Sequence, residues 1–290
     1  VLRRASAVVV EHGSRTAHAA NVARRLRLPC IVAAEGATQL LEDGGEVTVC
    51  CAEGEVGRVY PGRLRFEVDR IDASRIPATR TRVMLIVDDP ARAFSHATIP
   101  NAGVGLACLG LVIANQIGIH PMAIARYPGL ADARAVKEIA RRIGEESPRE
   151  FFVRLLSQAI PRIAAAFFPK PVIVRLSDFK SNQYAQLVGG PEFEPLDENP
   201  MLGFRGAMRH ADPRYAEGFG LECEALLRVR EDMGFENVKA MIPFCRTVDE
   251  ARRVMASMAD HGLRQGRAGL EIWGTCSCRS STAARSGRTT

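Results

Sequence analysis

The sequence predicts an α/β protein built on a parallel sheet, and three observations carry that expectation. Apolar runs of strand length alternate with segments of helical period along most of the chain. The strand-like runs, such as "RVMLIVDD" (82–89) and "KPVIVRLSD" (170–178), have apolar interiors rather than alternating ones, as strands covered on both faces do. A polar stretch without a strong period, 64–80, reads as a linker between a small first unit (1–63) and a larger second one (81–273).

In the first unit, "ASAVVV" (5–10) reads as a buried strand and "HGSR" as the turn after it. Ala19, Val22, Ala23 and Leu26 fall at helical spacing and predict a helix over about Thr16 to Arg27. Pro29 precedes a second apolar strand, "CIVAAE", and "EVTVCCAEGEVGRVYPG" reads as two short strands around a Glu53-Gly54 turn. In the second unit, strands are expected at 82–89, 103–113, 170–178, 199–206, 237–244 and 269–273. Helices are expected at 91–97, within 132–146 and 148–167, and at about 212–233 and 247–262. About five β/α units fit, fewer than the eight that close a barrel.

Composition bounds the function. The 290 residues are 47% hydrophobic and 25% charged, the balance of a globular chain. No apolar run reaches the roughly 18 residues of a membrane span, and no secretory cleavage pattern opens the chain, so a cytoplasmic protein without a membrane partner is expected. The net charge of +6 comes almost wholly from arginine, against lysine only at Lys137, Lys170, Lys180 and Lys239. These arginines are scattered and lack interleaved aromatics, which speaks against a nucleic-acid partner. Eight cysteines include no C-x-x-C pair and no zinc-finger spacing, so reduced thiols are expected rather than disulfides or zinc.

Four stretches are similar to those of the phosphoenolpyruvate synthases (pyruvate, water dikinases) of the PEP-utilising enzyme family: "RRASAVVVEHGSRTAHAANVARRLRLPCIV", "VTVCCAEGEVGRVY", "VIVRLSDFKSNQYAQLVGG" and "ENPMLGFRG". The resemblance runs from about Leu2 to Trp273. It implies a swivelling phosphohistidine domain followed by an incomplete (β/α)8 phosphoenolpyruvate-binding barrel of the TIM type. The chain is then expected to be a fragment, without the family's ATP-grasp domain or the end of the barrel, and inactive alone.

The resemblance places the phosphoryl-carrying histidine at His18, with Thr16 beside it to cap the helix or bond the imidazole. Neutral imidazole is a competent nucleophile near pH 7, and a helix N-terminus favours the phosphate that results. The other histidines (12, 96, 120, 210 and 261) lack that context. The resemblance further implies that Arg175, ending "VIVR", and Arg205, in "GFRG", hold the phosphate and carboxylate of phosphoenolpyruvate, since planar guanidinium forks suit such anions. Asp178 and Lys180 are placed to order Arg175, and Asn199 to shape its loop.

Three departures from the family pattern stand out. Cys108 and Gly110 in "GVGLACLG" occupy the places of an arginine and a glutamate. "GSRTAH" replaces G-G-R-T-C-H. After "GLEIW" the chain reads "GTCSCRSSTAARSGRTT" where the family has M-C-E-I-P with a magnesium-binding glutamate. The tail 274–290 is therefore expected to be disordered, such as a frameshift would produce, and the acidic ligands of Mg2+ to be absent. The implied reaction converts ATP, pyruvate and water to AMP, phosphoenolpyruvate and phosphate, in a full-length enzyme that could be a homodimer. A stand-alone phosphocarrier and a remnant without ligand remain open as alternatives.

Overall fold

The computed structural model describes residues 4–15, 17–54, 56–67, 72, 79–200 and 202–275. The expected linker (64–80) falls largely, and the expected tail (274–290) almost wholly, outside these residues. The chain divides into two compact units, 1–71 and 72–290.

The first unit opens with β1 (Val8–Val9), followed by α1 (His18–Leu26) and β2 (Cys30–Ile31). β1 and β2 pair in parallel, Val8 with Cys30 and Val9 with Ile31. A parallel pair needs a crossover, and α1 supplies it. Ala20 and Ala23 form the buried stripe of α1; of the four apolar positions expected to face inward only Ala23 is fully buried, Ala19 and Val22 are half-buried, and Leu26 is exposed. Arg27 closes the helix in the left-handed conformation, φ 58°. After α2 (Ala37–Leu40), β3 (Val47–Cys50) and β4 (Arg58–Pro61) form an antiparallel hairpin around the predicted turn.

The second unit is a five-stranded, wholly parallel sheet whose strands lie side by side in chain order. They are β5 (Leu85–Val87), β6 (Val104–Cys108), β7 (Val172–Arg175), β8 (Val238–Ile242) and β9 (Ile272–Gly274). Helices connect them: α3 (Ala93–Ala97), α4 (Leu109–Val112), α5 (Pro121–Arg126), α6 (Ala133–Ile143), α7 (Pro148–Phe167), α8 (Ser181–Tyr184), α9 (Ala207–His210), α10 (Ala216–Leu227) and α11 (Val248–Asp260). β7 is buried along its first three residues, as its unbroken apolar run requires. α7 packs Phe152, Val153, Leu156 and Ile163 into the core beside Phe219 and Leu226 of α10. Burying each of these large side chains stabilises the unit by about 1.5–3 kcal/mol. Among the described residues no helix is long and apolar enough to cross a membrane.

Two expected strands are corrected. The described residues of 199–206 form no strand: the N–H groups of Leu202 and Gly203 both donate to the Asn199 carbonyl at 3.0 Å, which closes a turn. The run 103–113 is strand only to Cys108, and from Leu109 its backbone is helical.

His210 is fully buried against the ring of Phe219, with centroids 4.6 Å apart, and neither ring nitrogen has a partner among the described residues. Burial, then the neighbouring Arg209 charge, lower its pKa from 6.5 to about 3. Between those values the unfolded chain binds a proton that the folded chain refuses. Stability is therefore full above pH 6.5 and falls with falling pH, by roughly 1.4 kcal/mol per unit. Buried Glu222 contributes in the opposite sense above its usual 4.5, because burial raises its pKa. The histidine's share is isolated by comparing the protein with His210→Phe. In denaturant titrations the stability difference between the two should shift by about 2 kcal/mol from pH 6.5 to pH 5. Parallel pH curves would refute the assignment.

Candidate functional site

In the first unit the turn after β1 delivers His18 as the first residue of α1, with its side chain exposed. Several bonds hold that turn. The Glu11 carboxylate accepts from the Thr38 N–H at 2.8 Å and the Thr38 hydroxyl at 2.7 Å, and these bonds lower its pKa. The Ala17 N–H donates to the Ser14 carbonyl at 2.9 Å, and Arg24 reaches the Arg15 carbonyl at 3.1 Å. Gly13 is at φ 118°, where a side chain is strained, and a Cβ there would also press to 3.2 Å from the Ala17 Cβ. Ala17 is the N-cap and brings no side-chain cap, and the first turn holds no acidic residue. The N–H groups and dipole at the start of α1 thus favour an anion beside His18. Thr16 lies outside the described residues.

In the second unit the parallel register brings Cys108, Arg175 and Met241 level across β6, β7 and β8, at the C-terminal edge of the sheet. There Arg175 and Arg205 meet on one carboxylate. Asp178, its side chain 2% exposed, lies 3.3 Å from Arg175 Nη1 and accepts from Arg205 Nε at 2.9 Å and Nη2 at 3.3 Å. The Nε of Arg175 is buried without a partner among the described residues. Two guanidinium forks thus converge on one buried carboxylate at this edge. Lys180 is not among the described partners of Asp178; its backbone N–H donates to Gln183 Oε1 and its carbonyl accepts from the Gln183 and Tyr184 N–H groups. Asn199 works through its carbonyl in the turn described above.

Cys108 does not replace an arginine here. Its Sγ accepts one long contact, 3.5 Å, from Arg175 Nη2, and burial raises the thiol pKa. At Gly110 a Cβ would stand 3.2–3.3 Å from ring carbons of Phe179, so that ring fills the space a longer residue would need.

The end of β7 is anchored from below. Ser177 gives its N–H (2.9 Å) and its hydroxyl to the fully buried Glu222 of α10. Tyr184 donates to Ser177 at 2.5 Å, and Tyr215 to Glu222 at 3.2 Å. Beside this network, Glu194 binds Arg209 at 2.5 and 2.6 Å and His120 Nε2 at 3.0 Å. His120 Nδ1 accepts from the Met122 N–H at 3.1 Å, so its other nitrogen carries the proton, and burial lowers its pKa. These networks join residues 7 to 74 positions apart, and residue types alone give no signal of them.

The magnesium implied by the resemblance finds no fit. Among the described residues no group of three or more His, Cys, Asp or Glu is placed to hold a metal, and Asp178 is already engaged by two arginines.

Comparison with known proteins identifies the site's setting. The model of the PEP-binding domain of PEP-utilising enzymes matches residues 67–271, and that of their mobile domain matches residues 1–54. The chain belongs to the PEP-utilising enzyme family. It is 50% identical over 279 residues to a phosphoenolpyruvate synthase of Synechocystis, covering 95% of this chain and 34% of that protein. It is 50% identical over 277 residues to one of Deinococcus radiodurans, covering 95% and 35%. It is 48% identical over 280 residues to one of Escherichia coli, with the same coverage of 95% and 35%. The chain spans about a third of the length of these PEP-utilising relatives.

Proposed function

We propose that this chain carries the phosphohistidine and part of the phosphoenolpyruvate-binding site of a phosphoenolpyruvate synthase. The observation that carries the reading is the pairing of Arg175 and Arg205 on Asp178 at the C-terminal edge of a parallel sheet, where ligands of such sheets bind. In this reading 1–63 is the swivelling domain, 64–80 the linker and 81–273 part of a TIM-type barrel. His18 attacks the β-phosphorus of ATP as the bond to the α-phosphate breaks and AMP leaves, and water removes the γ-phosphoryl group as phosphate. The phosphohistidine so formed divides one difficult transfer into two easier ones. The group then passes to the enol oxygen of pyruvate, forming one P–O bond as the P–N bond breaks. Arg175 and Arg205 orient the three-carbon acid and offset charge on the transferring group. Asp178 keeps both forks turned to the site and screens their mutual repulsion.

The reading is tested by titrating the protein with phosphoenolpyruvate in a calorimeter. Saturable binding is expected, and Arg175→Ala and Arg205→Ala should each weaken it at least tenfold. One charge-assisted hydrogen bond contributes about 1.5–3 kcal/mol, and about 1.4 kcal/mol is a factor of ten. Unchanged affinity in both variants would sink the reading.

A further inference from the structure

Arg205 sits in a turn rather than a strand, so something other than the sheet must set its direction. Asp178 grips one edge of the guanidinium, through Nε and Nη2. The Phe244 ring covers one of its faces, with the guanidinium carbon 3.8 Å from the ring centroid. Phe244 follows the end of β8 with φ 48°, a left-handed conformation costly for an aromatic residue. Packing does not account for it: the side chain is half-buried and lies outside the hydrophobic core of the unit.

The surrounding backbone maintains the conformation. The Phe244 N–H donates to Thr275 Oγ1 at 3.0 Å, and the Cys245 N–H to the Thr275 carbonyl at 2.8 Å, tying this turn to the end of β9. On the other side the Ala207 N–H donates to the Pro243 carbonyl at 2.9 Å. Gly206, at φ 60°, makes that approach possible. A Cβ there would stand 2.6 Å from the Phe244 Cβ and 2.7 Å from the Pro243 oxygen. The strained residue, the glycine and the arginine therefore form one device, built where two turns meet.

We propose that Phe244 is a positioning residue that holds the Arg205 guanidinium in its ligand-binding orientation through the face of its ring. The inference rests on Arg205 as an anion-binding group, and its test separates the two claims. Glycine adopts the left-handed backbone without strain, so Phe244→Gly removes the ring while leaving the turn. Its melting temperature should be equal to or above that of the protein. If the ring only supports structure, that temperature should instead drop. Phosphoenolpyruvate affinity should fall about three- to thirtyfold in Phe244→Gly, the range of a partly desolvated cation–π contact. Phe244→Tyr, which keeps the ring, should restore most of it.

A second readout needs no ligand. The Arg205 Nε–H proton, assigned by its loss in Arg205→Lys, should show an upfield ring-current shift in nitrogen-resolved NMR spectra. That shift should vanish in Phe244→Gly and persist in Phe244→Tyr. An unmoved Arg205 signal in Phe244→Gly overturns the positioning role, whatever the titration gives. So does native affinity in Phe244→Gly when Arg205→Ala has lost it. Absence of phosphoenolpyruvate binding by the protein itself would remove the proposed function and with it the ligand-binding orientation, and the NMR comparison would still decide whether the Phe244 ring covers the Arg205 guanidinium in solution.

Discussion

Glu194→Gln is expected to destabilise the second unit by about 3–5 kcal/mol, the cost of leaving one member of a buried ion pair without its partner. Both side chains of the Glu194–Arg209 pair are 1% exposed. The amide cannot neutralise the guanidinium, and one of its two heads must present N–H groups to a donor. Arg209 cannot shed its charge, and it is enclosed by the rings of Tyr184, Phe204 and Tyr215, at 4.1, 4.3 and 5.1 Å. His120 shares the Oε1 atom with Arg209, so the one oxygen left in the amide can serve either that pair or the second Arg209 bond, but not both. A domain's whole stability is about 5–15 kcal/mol, so the loss should be plain in a urea titration. Adding Arg209→Met should recover a large part of it, because an apolar chain suits the aromatic box once the charge is gone. A loss under 1 kcal/mol in Glu194→Gln, or a double variant worse than the single, would refute this account of the pair.

That ion pair also marks the limit of what the residues disclose. The apolar runs announce β7 and most of β8, because a strand covered on both faces must be apolar along most of its length. The parallel sheet follows from their alternation with helices. The turn at 199–206 was not legible, because Met, Leu and Phe look strand-like there although Leu202 is 72% exposed. The strand-to-helix change at Leu109 was hidden inside one continuous apolar run. At the site, the motifs disclose Arg175 and Arg205, and Asp178 beside Arg175, but not that Asp178 also holds Arg205. Asp178 lies 27 residues from Arg205, and only the return of the chain to the edge of β7 brings them together. Phe244 left no trace at all, since a positive φ at an aromatic residue cannot be read from its type.

His18→Ala is expected to abolish phosphoryl labelling of the first unit completely. The measurement supplies the nucleotide-binding portion of a relative in trans, with ATP labelled at the β-phosphorus, and follows label on this chain. A phosphohistidine is a phosphoramidate, so the label should be lost in acid and survive base, unlike a phosphoserine or an acyl phosphate. His18→Gln should be equally silent: its amide has nearly the bulk of imidazole but no nucleophilic lone pair on nitrogen. The other histidine of this unit, His12, is also exposed, but it precedes Gly13 in the turn and does not begin a helix. Its replacement by alanine should therefore leave labelling within about twofold. The start of α1 adds a second, graded expectation. Ala17 provides no side-chain cap, which leaves room for a phosphate at the start of the helix. Ala17→Asp would place a carboxylate where that phosphate must sit. Repulsion between like charges a few ångström apart should then cut labelling by an order of magnitude or more, with far-UV circular dichroism unchanged. Label persisting in His18→Ala would move the carrier to another residue. Full labelling of Ala17→Asp would show that the helix start plays no part in holding the phosphoryl group.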